Sequence, residues 1–291
     1  VSILFFFIGL HFLVAQEWIE TDIVAPDLHP DLVADFANNM IVYKDFLLVS
    51  APRALNGKYS SGSAALYEYQ SGRWIQKTRL YSEELYSEDS YIRGFSLGMA
   101  MNDSIIVIGA PESNLNDLHM VGTVHVFTRS SNDWSAFKQY TIYPSDTISS
   151  RRFGASLHLE GMKLFVSSGA HGNVFVYELG ASEAILKASL RSSLSLNIVW
   201  GNSRQFGQSI KANKNYLFVS APGDEMGECP DGGGIYVYDK NNDWEGKIDT
   251  INDDGIANTE PGKIVSDGHR PGNKELVDNV ISDGIDRNAA N

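Results

Sequence analysis

Three groupings of residues in this chain have types and spacings that chemistry could use. Gly94-Phe95-Ser96-Leu97-Gly98 fits the G-x-S-x-G pattern, in which a serine on a strand-to-helix turn is exposed as a nucleophile. Asp224, Glu225, Glu228 and Asp231 place four carboxylates within eight residues, with the lone Cys229 among them. Their oxygens suit a hard cation such as calcium, and a solvated acidic loop is the plainer reading. The seven histidines, His11, His29, His119, His125, His158, His171 and His269, show no H-x-x-x-H spacing or other ligand pattern. His125 and His158 fall on strand-like segments and read as partly exposed structural residues.

The elements that must carry these groups come from a repeat. Phe36, Phe95, Phe153 and Phe206 are each followed 15 residues later by Ala51, Ala110, Ser168 and Ala221. Just before those endpoints stand apolar, β-rich runs such as Ile105-Ile106-Val107-Ile108 and Leu217-Phe218-Val219, the composition of strands buried on both faces. Polar pairs at Lys44-Asp45, Asn102-Asp103, Glu160-Gly161 and Asn213-Lys214-Asn215 predict tight hairpin turns between a first strand and this second one. Gly62, Gly122, Gly172 and Gly233 each precede an aromatic by five residues, which marks a third strand. Trp74, Trp134 and Trp244 mark a fourth, with Ala184-Ile185-Leu186 in the Trp-less third repeat. The spacing therefore predicts four-stranded antiparallel meanders at a period of 53 to 59 residues. One such sheet cannot bury both faces of its second strand, and radial stacking of sheets can, so the expected fold is all-β and β-propeller-like. A β-sandwich is the alternative. In this frame Ser96 follows the repeat phenylalanine on a strand that leads to another strand, so the G-x-S-x-G match reads as accidental.

Phe153-Gly154 and Phe206-Gly207 resemble the FG half of FG-GAP repeats, as found in integrin α-subunit propellers. Gly109-Ala110-Pro111, Ser50-Ala51-Pro52 and Ser220-Ala221-Pro222 resemble the GAP half. The likeness covers about residues 17 to 250, because the segment 18–23, opening on Trp18, resembles the Trp strand that precedes each Phe in secreted bacterial members. Ala37 and Ser96 stand where the family has the FG glycine, and Ser167-Ser168-Gly169 stands in place of GAP. Four repeats are visible where the family's rings usually have seven. Bulky Met40, Met99, Met101, Leu157 and Ile210 would crowd the axis of a four-bladed ring, so the expectation is an open arc. Its end faces would then be completed by missing blades or by self-association.

Integrin α-subunits often carry a calcium loop between FG and GAP. The 15-residue spacing leaves no room for one, so the four hairpins are expected to be metal-free. Propeller glycosidases and lyases place carboxylates on their innermost strands. The expected inner strands, residues 36–43, 95–101, 153–159 and 206–212, contain no Asp or Glu. The resemblance thus implies a non-catalytic, cofactor-free binding or adhesion module for a protein or glycan. A carbohydrate-active enzyme or accessory domain, and a purely structural repeat of a larger surface protein, are the rivals. The longest expected connections, 52–61, 111–121, 222–232, 81–94, 144–152 and 192–205, share one end of the disc, where a ligand surface belongs.

The flanks read differently. Val1 to Val14 is an apolar run too short to span a bilayer, and it reads as a signal-peptide core with cleavage after Ala15, implying a secreted or cell-surface protein. A buried N-terminal strand or helix is the other reading. The domain plan is therefore a signal peptide at 1–15, propeller repeats at 16–250 (36–94, 95–152, 153–205, 206–250) and a polar, Asp/Gly-rich tail or linker at 251–291. With one cysteine, no internal disulfide can form. A net charge of -13, spread along the chain, gives no electrostatic footprint for nucleic acid or anionic lipid.

Overall fold

The computed structural model describes residues 35–55, 60–83, 92–115, 118–130, 134–145, 151–169, 172–191, 205–223, 233–240 and 247–252. Among them the chain is all-β, with sixteen strands and no helix. Sheet I is β1 (Met40–Tyr43), β2 (Phe46–Ala51), β3 (Ser63–Gln70) and β4 (Arg73–Leu80). Sheet II is β5 (Gly98–Met101), β6 (Ile105–Ala110), β7 (Thr123–Arg129) and β8 (Phe137–Ile142). Sheet III is β9 (Phe153–Glu160), β10 (Lys163–Ser168), β11 (Asn173–Leu179) and β12 (Ala184–Arg191). Sheet IV is β13 (Ile210–Ala212), β14 (Tyr216–Ala221), β15 (Gly234–Asp239) and β16 (Lys247–Asn252). Each is an antiparallel meander in chain order.

The four sheets stack in sequence in an open, propeller-like arrangement. Leu48, Ala64 and Leu66 of sheet I share a core with Phe95, Met99, Ile106, Ile108 and Phe127 of sheet II. Val107, Val124 and Val126 of sheet II pack against Phe153, Leu157, Leu164 and Val166 of sheet III. Phe165, Val174 and Val176 of sheet III meet Phe206, Ile210, Leu217 and Val219 of sheet IV. In β2, β6 and β10 alternate residues enter two different cores, which is why those strands lack the usual polar alternation. β14 differs from the sequence expectation, because only Leu217, Val219 and Ala221 are buried and the residues between them are half-buried.

Most first strands are shorter than expected, and the reason lies beside the repeat phenylalanine. The residues before it, Asp35, Gly94, Arg152 and Gln205, have φ of 49°, 66°, 59° and 56°. Those after it, Ala37, Ser96, Gly154 and Gly207, have φ of 62°, 77°, 88° and 87°. Left-handed residues interrupt the regular extended backbone of a strand. In sheets I, II and IV the chain turns through the phenylalanine and the strand begins only afterwards, whereas β9 begins at Phe153 and takes up the same torsions as an irregularity, its register with β10 shifting between Val166 and Ser168. Ser96 accordingly lies in a turn, not on a strand.

The phenylalanine turns inward from this corner onto the third strand. Phe153 stacks against Phe175 with ring centroids 5.7 Å apart, Phe206 against Tyr236 at 5.0 Å, and Phe95 against His125 at 5.2 Å. Two further elements depart from expectation. Trp134 precedes β8 rather than lying on it, although it is fully buried in the core between sheets I and II. β9 runs on through Glu160, so the hairpin turn that follows is Gly161-Met162.

Candidate functional site

The stacked meanders have two ends of different character. At the end carrying the β1–β2 and β3–β4 type hairpins, polar contacts tie each sheet to the next. Lys44 Nζ donates to Asp103 Oδ1 at 2.5 Å, and the Tyr43 hydroxyl lies 3.3 Å from Asp103 Oδ2. Asn102 Nδ2 donates to the Gly161 carbonyl at 2.8 Å. Lys240 pairs with Glu160 and donates to the Asn213 carbonyl at 2.5 Å. Asn102 and Asn213 also accept from the backbone amides two and three residues on, at 2.8 to 3.0 Å, which fixes the turns that present these contacts. Lys44 lies above its ordinary range and Asp103 below its own because each hydrogen-bonds the other, but both are exposed, so the pair aligns the turns more than it holds them.

The opposite end carries the longer connections. Among them is the loop 111–122. Asn114 Nδ2 lies 2.7 Å from His119 Nδ1, and Asn114 Oδ1 accepts the Met120 amide at 3.0 Å. Leu115 and Leu118 exchange backbone bonds of 3.0 and 3.1 Å, and the Gly122 amide closes the loop on Ser113 at 3.0 Å. The loop is thereby held by its own backbone while Leu118 and Met120 remain exposed. Leu55, Tyr81 and Tyr143 are exposed in connections at the same end of sheets I and II. Large apolar side chains exposed on connections at one end of the sheets suit a partner's apolar or ring surface.

The chemistry-bearing residues found in the sequence are scattered. Ser96 is fully buried; its hydroxyl donates to the Ser63 carbonyl at 2.8 Å and accepts the Ala51 amide at 3.2 Å. Both partners belong to sheet I, so the hydroxyl joins two sheets and has no path to a substrate. His125, expected to be partly exposed, is completely buried because it fills the position that Phe175 and Tyr236 hold in later repeats. Its Nε2 and Nδ1 each lie 3.1 Å from a hydroxyl, those of Thr123 and Thr141, and burial pushes its pKa down to about 3. His158 is lowered by burial and by Lys211, with Glu160 acting in the opposite sense. Burial also pushes Tyr177 up to about 12, and Tyr140 likewise, with Glu183 adding to the latter.

Glu160 corrects the expectation that the inner strands lack carboxylates: it is the single Asp or Glu on β1, β5, β9 and β13. Its pairing with the almost fully buried Lys240 leaves it engaged, with no second carboxylate on an inner strand to act as acid or base beside it. Among the described residues no three His, Cys, Asp or Glu side chains gather as a metal site. Asp224, Glu225, Glu228 and Asp231 lie outside the described residues, as do the tail beyond Asn252, Trp244, the segment 18–23 and residues 1–15.

No family model matches the chain, and no curated protein matches it either. No helix among the described residues is long and apolar enough to cross a membrane. The exposed residues at the loop end were not legible as a site beforehand. The sequence marks 111–121 as a long connection, but the exposure of Leu118 and Met120 is read only from the folded loop.

Proposed function

We propose that the chain is an FG-GAP-type propeller repeat protein, exported on the leader 1–15, that works as a non-catalytic binding module with its long-loop end turned to a protein or glycan. The observation that carries the binding reading is the group Leu55, Tyr81, Leu118, Met120 and Tyr143, exposed at one end of sheets I and II on connections of which 111–122 is braced by Asn114. The family reading is supported by a corner that four repeats share: a phenylalanine between two left-handed residues, stacked in three of them on a ring of the third strand. The engaged state of Ser96 and Glu160 favours binding over turnover.

The test is a screen of the purified chain against glycan and matrix-protein arrays, with and without calcium, followed by Leu118→Asp and Met120→Asp. Each substitution is expected to weaken the captured ligand at least tenfold, as truncating or charging an apolar anchor does. Lys44→Ala at the opposite end should leave binding unchanged. Turnover of any arrayed glycan, or binding indifferent to both loop substitutions, would sink the reading.

A further inference from the structure

Each internal junction joins the same two surfaces: the forward face of one sheet and the rear face of the next. The two end sheets present one copy of each surface without a neighbouring sheet among the described residues. On the rear face, Met99, Leu157 and Ile210 occupy the position four residues after the repeat phenylalanine and are 6%, 7% and 1% exposed, whereas Met40 of sheet I is 58% exposed. Met101 is 7% exposed and its counterpart Val42 is 64% exposed. Phe95, Phe153 and Phe206 are buried and Phe36 is half-buried. Phe36 and Trp74 close over Leu47, Val49 and Tyr67, so the open part of this face is its inner strand.

The forward face shows the converse at sheet IV. Ala64, Val124 and Val174 are completely buried by the following sheet, and Ile235 at the same position is 39% exposed. Leu48, Val107 and Phe165 are buried and Phe218 is half-buried; Ser50, Gly109 and Ser167 are buried and Ser220 is half-buried. Lys211 sits exposed where Ile41 and Ala100 lie in the earlier sheets. Its methylene stem can lie along an apolar neighbour while the ammonium stays in water.

We infer that a second copy of this chain seats the rear face of its sheet I (Phe36, Met40, Val42) on the forward face of sheet IV (Lys211, Phe218, Ile235), repeating the junction already formed three times within one chain. The occupant is a copy of the chain because the two open surfaces are the two halves of one recurrent interface, so the described sheets carry at one end the complement of the face left open at the other. Such contact is head-to-tail, and it generates a ring or an open series according to whether the rotation closes. It is independent of what the loop end binds.

Sedimentation velocity on the intact protein at about 1 to 100 μM separates the outcomes. Wild type is expected to form dimers or larger species. Met40→Lys with Val42→Lys disables one face and Ile235→Asp with Lys211→Asp the other. All four positions are exposed or nearly so, and circular dichroism confirms that each variant is folded. Each double variant alone should sediment as a monomer, and an equimolar mixture should give a species of twice the monomer mass, because each supplies the face the other has lost. A monomeric wild type at 100 μM overturns the inference. So does association that either variant retains alone, or a mixture that stays monomeric while wild type associates.

Discussion

The carbonyl oxygen of Gly154 in sheet III occupies the space that a Cβ on Gly109 in sheet II would need, and the Gly154 carbonyl carbon would lie 2.8 Å from such an atom. The glycine of one repeat motif is thus docked on the glycine of the preceding one, backbone against backbone. Gly109→Ala can be accommodated only by moving sheet III away from sheet II, and a loss of about 3 kcal/mol is expected from overpacking of this kind. Gly161→Ala is the control, since nothing lies within 4 Å of its missing Cβ although its φ is +58°. It should cost about 1 kcal/mol, the ordinary penalty of a left-handed residue. Urea denaturation of the two variants checks the difference.

Ala37 stands in the same left-handed position as Gly154, with φ of 62°, and its side chain is exposed. Ala37→Gly removes a steric cost of about 1 to 2 kcal/mol and adds unfolded-chain entropy of up to about 1 kcal/mol. A net gain of about 0.5 kcal/mol is expected, read as a higher thermal midpoint. A lower midpoint would mean that the corner of sheet I is not strained as the torsion implies.

Ser96 holds the equivalent torsion, yet its hydroxyl bonds two buried backbone groups of sheet I. Ser96→Ala leaves the Ala51 amide and the Ser63 carbonyl without that partner and should destabilise the protein by about 1 to 3 kcal/mol. Ligand binding at the loop end should persist below the melting temperature. Labelling of Ser96 in the native protein by a serine-directed phosphonylating reagent would contradict its burial.

The repeat was legible because the same backbone corner recurs and demands the same residue types: an inward phenylalanine, a left-handed neighbour, an apolar strand fifteen residues on. Ala37 and Ser96 broke the letters of the motif while keeping its torsion, so the period survived where the motif did not. What stayed illegible depended on contacts with residues distant in the sequence. His125 is buried against Phe95, thirty residues away, and Glu160 is engaged by Lys240, eighty residues away. Neither pairing leaves a periodic trace. The exposure of Leu118 and Met120 leaves no periodic trace either, since it belongs to a loop held by its own contacts, the Met120 amide on Asn114 and the Leu115–Leu118 exchange.

His125 makes the junction between sheets I and II sensitive to acid. Its folded-state pKa is lowered by burial from 6.5 to about 3. Between those values the unfolded chain binds a proton that the native state refuses, so stability is complete above about pH 6.5 and falls as the pH drops towards 3. The slope from this one group approaches about 1.4 kcal/mol per pH unit, or about 2 kcal/mol lost by pH 5. Carboxylates add their own acid dependence, which a single titration of wild type cannot separate. His125→Phe isolates the contribution, because Phe175 and Tyr236 show that this position accepts a ring stacked on the repeat phenylalanine. Measured by urea unfolding from pH 7.5 to 4.5, the variant is expected to lose less stability than wild type by about that amount. Parallel curves for the two proteins would show that His125 is protonated in the fold, against its burial between Thr123 and Thr141.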